Sequence, residues 1–312
     1  MEKFALVFPG QGSQKLGMLN GLAAEFPIVG ETFREASAVL NQDLWEIAQH
    51  DSHNTLDQTQ MPQPILLTAS VAIWRLWQQR GGPLPSIMAG HSLGEYSALV
   101  CAGVLGFVDA VNLLHHRGQL MQSAVAPGQG KMAAIIGLES CHIQEICAQA
   151  AAGQIVSAAN FNCPGQTVIA GDKDAVERAM LLCKEAGARR ALPLSLSVPA
   201  HCALMRSAAD KLALELDSVA FQPAAIPVVQ NVDAEICKAP GIIKQNLIKQ
   251  LYSTVLWEDS IQLIYKTGID KTVECGPGKV LCGLIKRIEP ELACFDSDAP
   301  QSLDQAIAAV ST

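Results

Sequence analysis

The chain has 312 residues, of which 49% are hydrophobic and 17% are charged, and its formal net charge is −8. This composition supplies a large apolar core, excludes a disordered chain and, at roughly 150 residues per domain, predicts two domains. The acidic balance argues against a nucleic-acid partner, because few cations would neutralise its phosphates. The longest uncharged stretch near a predicted helix, 96–108, is too short to cross a membrane. Ten cysteines without a C-x-x-C pair predict reduced thiols in a soluble, cytosolic protein.

The first 125 residues repeat the order strand, sharp turn, helix. Residues 4–8 and 86–89 are short apolar runs that end at glycines, which predicts two buried strands. Helical patterns occupy 21–40, 65–79, 93–104 and 111–124. This order is typical of a parallel α/β sheet.

The middle of the chain changes character after a glycine- and proline-rich loop at 126–130. The following residues predict a ferredoxin-like βαββαβ unit, with elements at 132–136, 140–151, 155–161, 167–170, 174–186 and 190–194. The α/β order resumes after 198, with elements at 203–216, 227–231, 242–251, 258–267, 271–273 and 279–288. We therefore predict an α/β hydrolase-like catalytic domain formed by 1–125 and 198–312, with a ferredoxin-like subdomain inserted at 126–197.

The sequence GHSLG at 90–94 has the G-x-S-x-G spacing of a nucleophile elbow, with a predicted strand before it and a helix after it. Such a turn exposes the Ser92 hydroxyl at a helix N-terminus, where the backbone N–H of Leu93 can face a developing oxyanion. The alternative is a serine that caps an ordinary strand–helix turn. A second glycine turn, Gly10 to Gly12, leaves the N–H of Gln11 free to act as a second oxyanion donor.

A serine nucleophile requires a base, and the chain has seven histidines. His201 is favoured because it lies in a loop that rejoins the main domain, where site residues tend to gather. His91 adjoins Ser92 and is expected to face away from it. The others are His50 and His53 in a polar stretch, His115 and His116 on a predicted helix, and His142 at the start of a subdomain helix. Cys202 is interpreted as a buried small residue rather than as a nucleophile.

Arg117 lies on the apolar face of its predicted helix, and its neighbours one turn away are all apolar. A guanidinium that faces a core requires an anion from elsewhere. The alternatives are a distant acid of this chain, a side chain that reaches solvent, or a substrate carboxylate bound by the guanidinium fork. GPGK at 276–279 lacks the spacing of a phosphate loop, so nucleotide binding is rejected.

Several longer motifs together resemble the malonyl-CoA:acyl carrier protein transacylase family. They are FPGQGSQ at 8–14, GHSLGEYSALV at 90–100, RG at 117–118, NFNCPGQTVIAG at 160–171, VPAHCALM at 198–205, NVDA at 231–234, QLY at 250–252 and GPGKVL at 276–281. The resemblance implies that Ser92 is acylated, that His201 is the base and that Arg117 binds the malonyl carboxylate. It assigns the oxyanion hole to the N–H groups of Gln11 and Leu93.

The resemblance also implies that backbone carbonyl groups near Asn231 and Gln250 orient His201 in place of a triad acid. The implied substrates are malonyl-CoA and the acyl carrier protein, with no metal or redox cofactor, and we expect a cytoplasmic monomer. The alternatives are a serine esterase or thioesterase, a trans-acting polyketide acyltransferase, and a non-catalytic module that binds carrier protein.

Basic residues predict a carrier-protein docking surface. Residues 238–287 contain eight Lys or Arg and four acids, whereas 288–312 contain five acids and no Lys or Arg. The docking candidates are Arg189, Arg190, Lys279, Lys286 and Arg287. An acidic carrier protein needs such a local surface on an acidic enzyme. The alternative is an ordinary solvated surface.

Overall fold

Two β-sheets and the helices around them organise the computed structural model, which describes residues 3–51, 56, 60–195 and 198–311. In chain order the strands of this part are β1 (Phe4–Phe8), β2 (Ile87–Gly90), β3 (Gly130–Ile136), β4 (Val156–Cys163), β5 (Gln166–Asp172), β6 (Arg190–Pro193), β7 (Val228–Val229), β8 (Ile236–Cys237), β9 (Val255–Leu256), β10 (Lys271–Glu274) and β11 (Ala293–Asp296).

The α-helices of the described residues are α1 (Asn20–Glu25), α2 (Pro27–Leu40), α3 (Leu44–Gln49), α4 (Pro62–Gln79), α5 (Leu93–Cys101), α6 (Phe107–Ala124), α7 (Ser140–Ala151), α8 (Lys173–Glu185), α9 (Arg206–Ser218), α10 (Pro240–Gln250), α11 (Trp257–Lys266), α12 (Val280–Ile288) and α13 (Pro300–Val310). A short 3₁₀-helix, Ala203–Met205, precedes α9. Among these helices, none combines the length and the apolar character that a membrane span requires.

The first sheet has the order β11-β10-β1-β2-β7-β8 and is parallel except where β7 pairs with β8. Side chains of β1 alternate between two cores, as the period of a strand requires. Phe4, Leu6 and Phe8 pack in the core that contains α4, whereas Ala5 and Val7 pack in the core that contains α11 and α12. Helices therefore cover both faces, and the predicted α/β class with a parallel sheet is confirmed.

The second sheet has the order β6-β3-β5-β4-β9, and its first four strands are antiparallel to their neighbours. With α7 and α8 they form the predicted βαββαβ unit. One sheet face packs against these helices through residues such as Ile135 and Ile169. The other face brings Met132 and Ala170 against Cys202 of the main domain. β9 pairs with β4 in parallel, so this sheet takes one strand from outside the predicted range 126–197.

The structure departs from the predicted elements in three places, and local sequence explains the first of them. The predicted helix 21–40 is interrupted because Pro27 begins α2 and cannot donate a backbone hydrogen bond, and Phe26 before it is extended. The predicted strand 227–231 contains only two ladder residues, β7. The acidic segment 288–312 contains β11 and α13, which sequence reasoning missed.

Two cysteines correct the expectation that all thiols are free. Cys282 of α12 and Cys294 of β11 form a disulfide, while eight other cysteines are free. Their sequence separation is 12, and only the parallel pairing of β10 with β11 brings that part of the chain beside α12. No C-x-x-C spacing marks the pair, so the sequence pattern could not reveal it.

Candidate active site

Ser92 occupies a tight turn between β2 and α5, with φ 51° and ψ −108°. A Cβ atom on Gly90 would lie 1.9 Å from the carbonyl carbon of Gly94, and one on Gly94 would lie 2.0 Å from the carbonyl oxygen of Phe8. Both glycines are therefore required by close backbone contacts. Ser92 makes no side-chain capping bond to α5, so the alternative of an ordinary capping serine does not describe this turn.

His201 contacts Ser92 directly: its Nε2 lies 2.7 Å from the serine Oγ. On the other side of the ring, Nδ1 lies 2.7 Å from the backbone carbonyl oxygen of Gln250. A carbonyl oxygen only accepts, so Nδ1 carries the proton and Nε2 is free to accept the serine proton. Burial lowers the pKa of His201 to about 3, and the positive charge of Arg117 contributes in the same direction. The imidazole is therefore neutral at physiological pH.

The other histidines lie outside this contact. His91 points away from Ser92 and pairs through Nε2 with the side-chain oxygen of Asn162 at 2.8 Å, and burial lowers its pKa. His53 lies outside the described residues. The remaining candidates do not line the cavity beside Ser92: His50, His115, His116 and His142.

Cys202 is unsuited to act as the nucleophile. Its thiol donates a hydrogen bond to the carbonyl oxygen of Pro199 at 3.1 Å, and burial raises its pKa to about 12. A protonated thiol is a poor nucleophile.

Asn231 holds the serine turn rather than the histidine. Its Oδ1 accepts a hydrogen bond from the Ser92 N–H at 2.7 Å, and its Nδ2 donates to the carbonyl oxygen of Gly90 at 2.7 Å. Its own carbonyl oxygen accepts from Leu256 N at 2.9 Å. The expectation that a carbonyl near Asn231 orients His201 is therefore corrected: in the described chain that bond comes from Gln250 alone.

Arg117 is only 2% exposed and lies beside this pair of residues. One terminal nitrogen donates to Gln63 Oε1 at 2.7 Å, the other donates to Gln250 Oε1 at 3.0 Å, and the guanidinium lies 5.4 Å from the ring centre of Tyr96. No carboxylate of the described residues lies within ion-pair distance of it. No acid of this part of the chain pairs with the guanidinium, and burial keeps the guanidinium from solvent.

Two buried side chains of this network were missed from the sequence. Gln63 is fully buried in the first turn of α4 and orients Arg117. Glu95 follows the serine turn on α5 and accepts a hydrogen bond from the Gln250 side chain at 2.7 Å. Each is a polar residue among apolar residues of a helix. The same pattern drew attention to Arg117 and could have revealed these two residues.

A cavity of about 70 Å³ joins the groups into one site. It is lined by Gln11, His91, Ser92, Leu93, Arg117, Met121, Met132, Asn160, Ala200 and His201. Leu93 is the first residue of α5, so its N–H has no acceptor within the helix. The Gln11 turn borders the same space, at the carboxyl ends of β1 and β2. Both predicted oxyanion donors therefore adjoin Ser92.

A second cavity of about 230 Å³ lies next to the cavity at Ser92. It shares Gln11, His91, Met132 and Asn160 with the cavity at Ser92. Its walls come from β3, β4 and β5 on one side and from α12 on the other. We call this space the channel. Both polar residues, such as Asn160 and Gln166, and apolar residues, such as Val168 and Leu284, line the channel.

The comparisons with known proteins agree with this geometry. The family model described as "Acyl transferase domain" matches residues 5–288. A malonyl CoA-acyl carrier protein transacylase of Escherichia coli strain K12 is 55% identical over 308 residues, covering 98% of this chain and 99% of that protein. The chain belongs to the malonyl CoA-acyl carrier protein transacylase family.

Solved structures of transacylases share the fold over nearly the whole length. An acyl carrier protein S-malonyltransferase from Vibrio cholerae is 56% identical with a TM-score of 0.95, covering 97% of this chain and 99% of that one. A malonyl-transacylase in complex with a type II PKS acyl-carrier protein is 53% identical with a TM-score of 0.97, covering 99% and 100%.

The basic residues of this transacylase fall into two groups, one beside the channel and one beside a different surface cavity. Ile136 of β3 lies opposite Arg190 of β6 on one side and opposite Gln166 of β5 on the other. Arg287 donates a hydrogen bond to the Gln166 side chain. Arg190 and Arg287 thus flank the end of the second sheet, where Gln166 lines the channel. Arg189 adjoins Arg190 and is exposed. Lys279 and Lys286 lie seven residues apart and line a different surface cavity, beside the disulfide.

One cluster of the described residues has metal-ligand proximity, formed by Glu274, Cys282 and Cys294. Both sulfur atoms are joined in the disulfide, and the Glu274 carboxylate accepts hydrogen bonds from the N–H groups of Leu281 and Cys282. These donors and the disulfide already use the groups that would bind an ion. The disulfide and these hydrogen bonds connect β10, β11 and α12.

Proposed function

We propose that this transacylase transfers the malonyl group from malonyl-CoA to the phosphopantetheine thiol of acyl carrier protein, through a malonyl ester on Ser92. The observation that carries the substrate assignment is Arg117. Its buried guanidinium lines the cavity that contains Ser92 and His201. Among the described residues, no carboxylate pairs with this cation. A dicarboxylic half-thioester supplies the missing anion.

The first half-reaction acylates the enzyme. His201 Nε2 takes the hydroxyl proton as Ser92 Oγ attacks the thioester carbonyl carbon. The N–H groups of Gln11 and Leu93 face the oxyanion of the tetrahedral intermediate. When this intermediate collapses, the carbon–sulfur bond breaks, and the imidazolium returns its proton to the leaving thiolate of coenzyme A.

The second half-reaction reverses these steps with a different thiol. The pantetheine arm of the carrier protein enters the channel, and its thiol gives its proton to His201 Nε2 while sulfur attacks the ester. Ser92 then leaves and recovers the proton. Proton transfer and oxyanion stabilisation come from residues of this chain, so the proposed scheme requires no metal or redox cofactor.

A serine esterase or thioesterase would use the same pair of residues with water as the acceptor. A non-catalytic carrier-protein module would leave Ser92 unmodified. The intact mass of the protein, measured after addition of malonyl-CoA and again after addition of carrier protein, separates these functions. We expect a malonyl adduct that moves to the carrier protein. Hydrolysis without transfer would support an esterase, and no adduct would support the binding module.

Arg117→Ala separates a malonyl transferase from an unselective acyltransferase. Removing one partner of a buried charge pair typically costs about 2–5 kcal/mol, a factor of about 30 to several thousand. We expect kcat/KM for malonyl-CoA to fall by that factor while acetyl transfer is unchanged or rises, because a neutral acyl group no longer meets an unpaired cation. Arg117→Lys should recover little, because an ammonium lacks the planar fork. An equal loss for both substrates would make Arg117 a structural residue.

The carrier protein is proposed to dock on the exposed side of α12, the helix that forms one wall of the channel and carries exposed basic residues. Replacing Lys279, Lys286 and Arg287 by Glu should raise KM for carrier protein about three- to tenfold at low salt and leave KM for malonyl-CoA unchanged. Arg287 also bonds the loop before β5, so the Lys279 and Lys286 pair is tested separately.

A matched control for this docking test changes charge away from the channel. Lys184→Glu with Lys211→Glu reverses two exposed lysines on α8 and α9, helices that contribute no residue to the channel, unlike α12. Equal carrier-protein kinetics in the test and control variants would rule out this surface. Fatty acid and polyketide carrier proteins are compared as acceptors in the same assay.

We further propose that the enzyme acts as a cytoplasmic monomer. The serine, the base, the oxyanion donors and the cation come from one chain, so the site needs no second copy. Eight of the ten cysteines are free, which suits a reducing compartment, and the Cys282–Cys294 disulfide is the exception. Sedimentation in the presence and absence of carrier protein tests the state of assembly.

A further inference from the structure

Glu95 is a buried carboxyl group that the reaction steps above do not use. It lies in the first turn of α5 and is 1% exposed. Its Oε1 has no hydrogen-bond partner within the described residues. Burying a carboxyl group with one oxygen unpaired is unfavourable. The position of Glu95 in this site therefore indicates a functional role.

The other oxygen of Glu95 joins the two residues that hold the active site together. Oε2 accepts from the Gln250 side-chain nitrogen at 2.7 Å and from the backbone N–H of Asn231 at 3.3 Å. Asn231 holds the N–H of Ser92. Gln250 binds His201 through its backbone carbonyl and Arg117 through its side-chain oxygen.

The hydrogen bonds of Gln250 decide which way its amide group faces. A guanidinium only donates, so the amide must turn its oxygen toward Arg117. Its NH₂ group then needs acceptors, and it finds them in Glu95 Oε2 and in the Ser92 carbonyl oxygen at 3.0 Å. A flipped amide would set its NH₂ group against Arg117 and its oxygen against an oxygen of Glu95.

We propose that Glu95 is a positioning residue for substrate selection: it fixes the amide of Gln250 so that Arg117 is held ready for the carboxylate of the acyl group. Glu95 touches no reacting atom and acts through Gln250. This inference rests on the proposed malonyl transfer, because it concerns the choice between malonyl and neutral acyl groups.

The charge state of Glu95 fits this role. Burial raises its pKa to about 8, while the hydrogen bonds from Gln250 and Asn231 oppose that rise. The charged and titratable groups that face it are Arg117, Asp233 and Tyr96. At pH 7 Glu95 is therefore protonated and leaves the positive charge of Arg117 to the substrate. Above pH 8 its carboxylate competes with malonyl for that charge.

Two substitutions of similar size isolate the acceptor oxygen. In Glu95→Gln the N–H of Asn231 fixes the new amide with its oxygen in the place of Oε2, so Gln250 keeps its orientation. Glu95→Leu removes the acceptor. We expect the ratio of malonyl to acetyl kcat/KM to stay within about threefold of wild type in Glu95→Gln, and to fall by about 10- to 100-fold in Glu95→Leu.

The acetyl reaction and thermal unfolding of the same samples control for damage to the fold. A structural role would lower both acyl transfers together. Gln250→Ala removes the amide but keeps the backbone carbonyl that binds His201. If Glu95 acts through this amide, Glu95→Leu should reduce the ratio by less than about threefold in the Gln250→Ala background. An undiminished effect in that background would overturn the proposal.

The pH dependence supplies an independent readout. In wild type the malonyl to acetyl ratio should fall as pH rises from 7 to 9, whereas in Glu95→Gln it should stay level. A ratio unchanged in Glu95→Leu would overturn the role of Glu95. Absence of malonyl transfer by the wild-type enzyme would instead refute the proposed function.

Discussion

Ser92→Ala should abolish formation of the malonyl-enzyme and lower transfer by about 10⁴-fold or more, the loss typical of a nucleophile that acts as a unit with its base. The substitution removes Oγ and its 2.7 Å contact with His201 Nε2, and no other side-chain hydrogen bond of Ser92. The bond between the Ser92 N–H and Asn231 remains. Alanine meets the same positive φ as serine, so the fold should persist. Intact mass after malonyl-CoA addition measures the effect.

Ser97→Ala is the matched control for this experiment. Ser97 is buried on the same helix, and its hydroxyl has no partner among the described residues. This variant should acylate at the wild-type rate. Malonyl mass still added to Ser92→Ala would refute the assignment of the nucleophile and would make Cys202 the next residue to replace.

His201→Ala should be nearly as damaging, with transfer lowered on the order of 10³-fold or more, because Ser92 then has no group to accept its proton.

The low pKa of His201, about 3, leads to a separate prediction about pH dependence. A base works when deprotonated, so lowering its pKa extends activity toward acid. The kcat/KM profile for malonyl-CoA should therefore show no loss centred near pH 6.5, the usual pKa of histidine.

The orientation of His201 by a backbone carbonyl predicts that the site has no hidden triad acid. Replacing any single Asp or Glu by its amide should cost much less than His201→Ala. His116→Ala, at an exposed histidine paired with Glu215, controls for loss of a histidine elsewhere. An acid whose amide variant matches His201→Ala in rate would contradict this interpretation.

Patterns that lie close together in the chain were readable from the sequence. The glycines around Ser92 predict a tight strand–helix turn from their spacing alone, although the contact that requires Gly94 comes from Phe8 of the neighbouring strand β1. The βαββαβ order likewise follows from local periodicity and turn signals. Arg117 stood out because a cation on an apolar helix face conflicts with the residues one turn away. Each of these conclusions depends on residues within a few positions of one another.

The tertiary structure decided the relations between distant segments. Gln250 lies 158 residues from Ser92, yet its backbone fixes His201 and its amide joins Arg117 to Glu95. Asn231 proved to hold the serine turn, and a disulfide joins Cys282 to Cys294. An amide side chain can donate or accept in several directions, so its residue type leaves its partner open. The partner is chosen only when packing of the sheet and helices removes the alternatives.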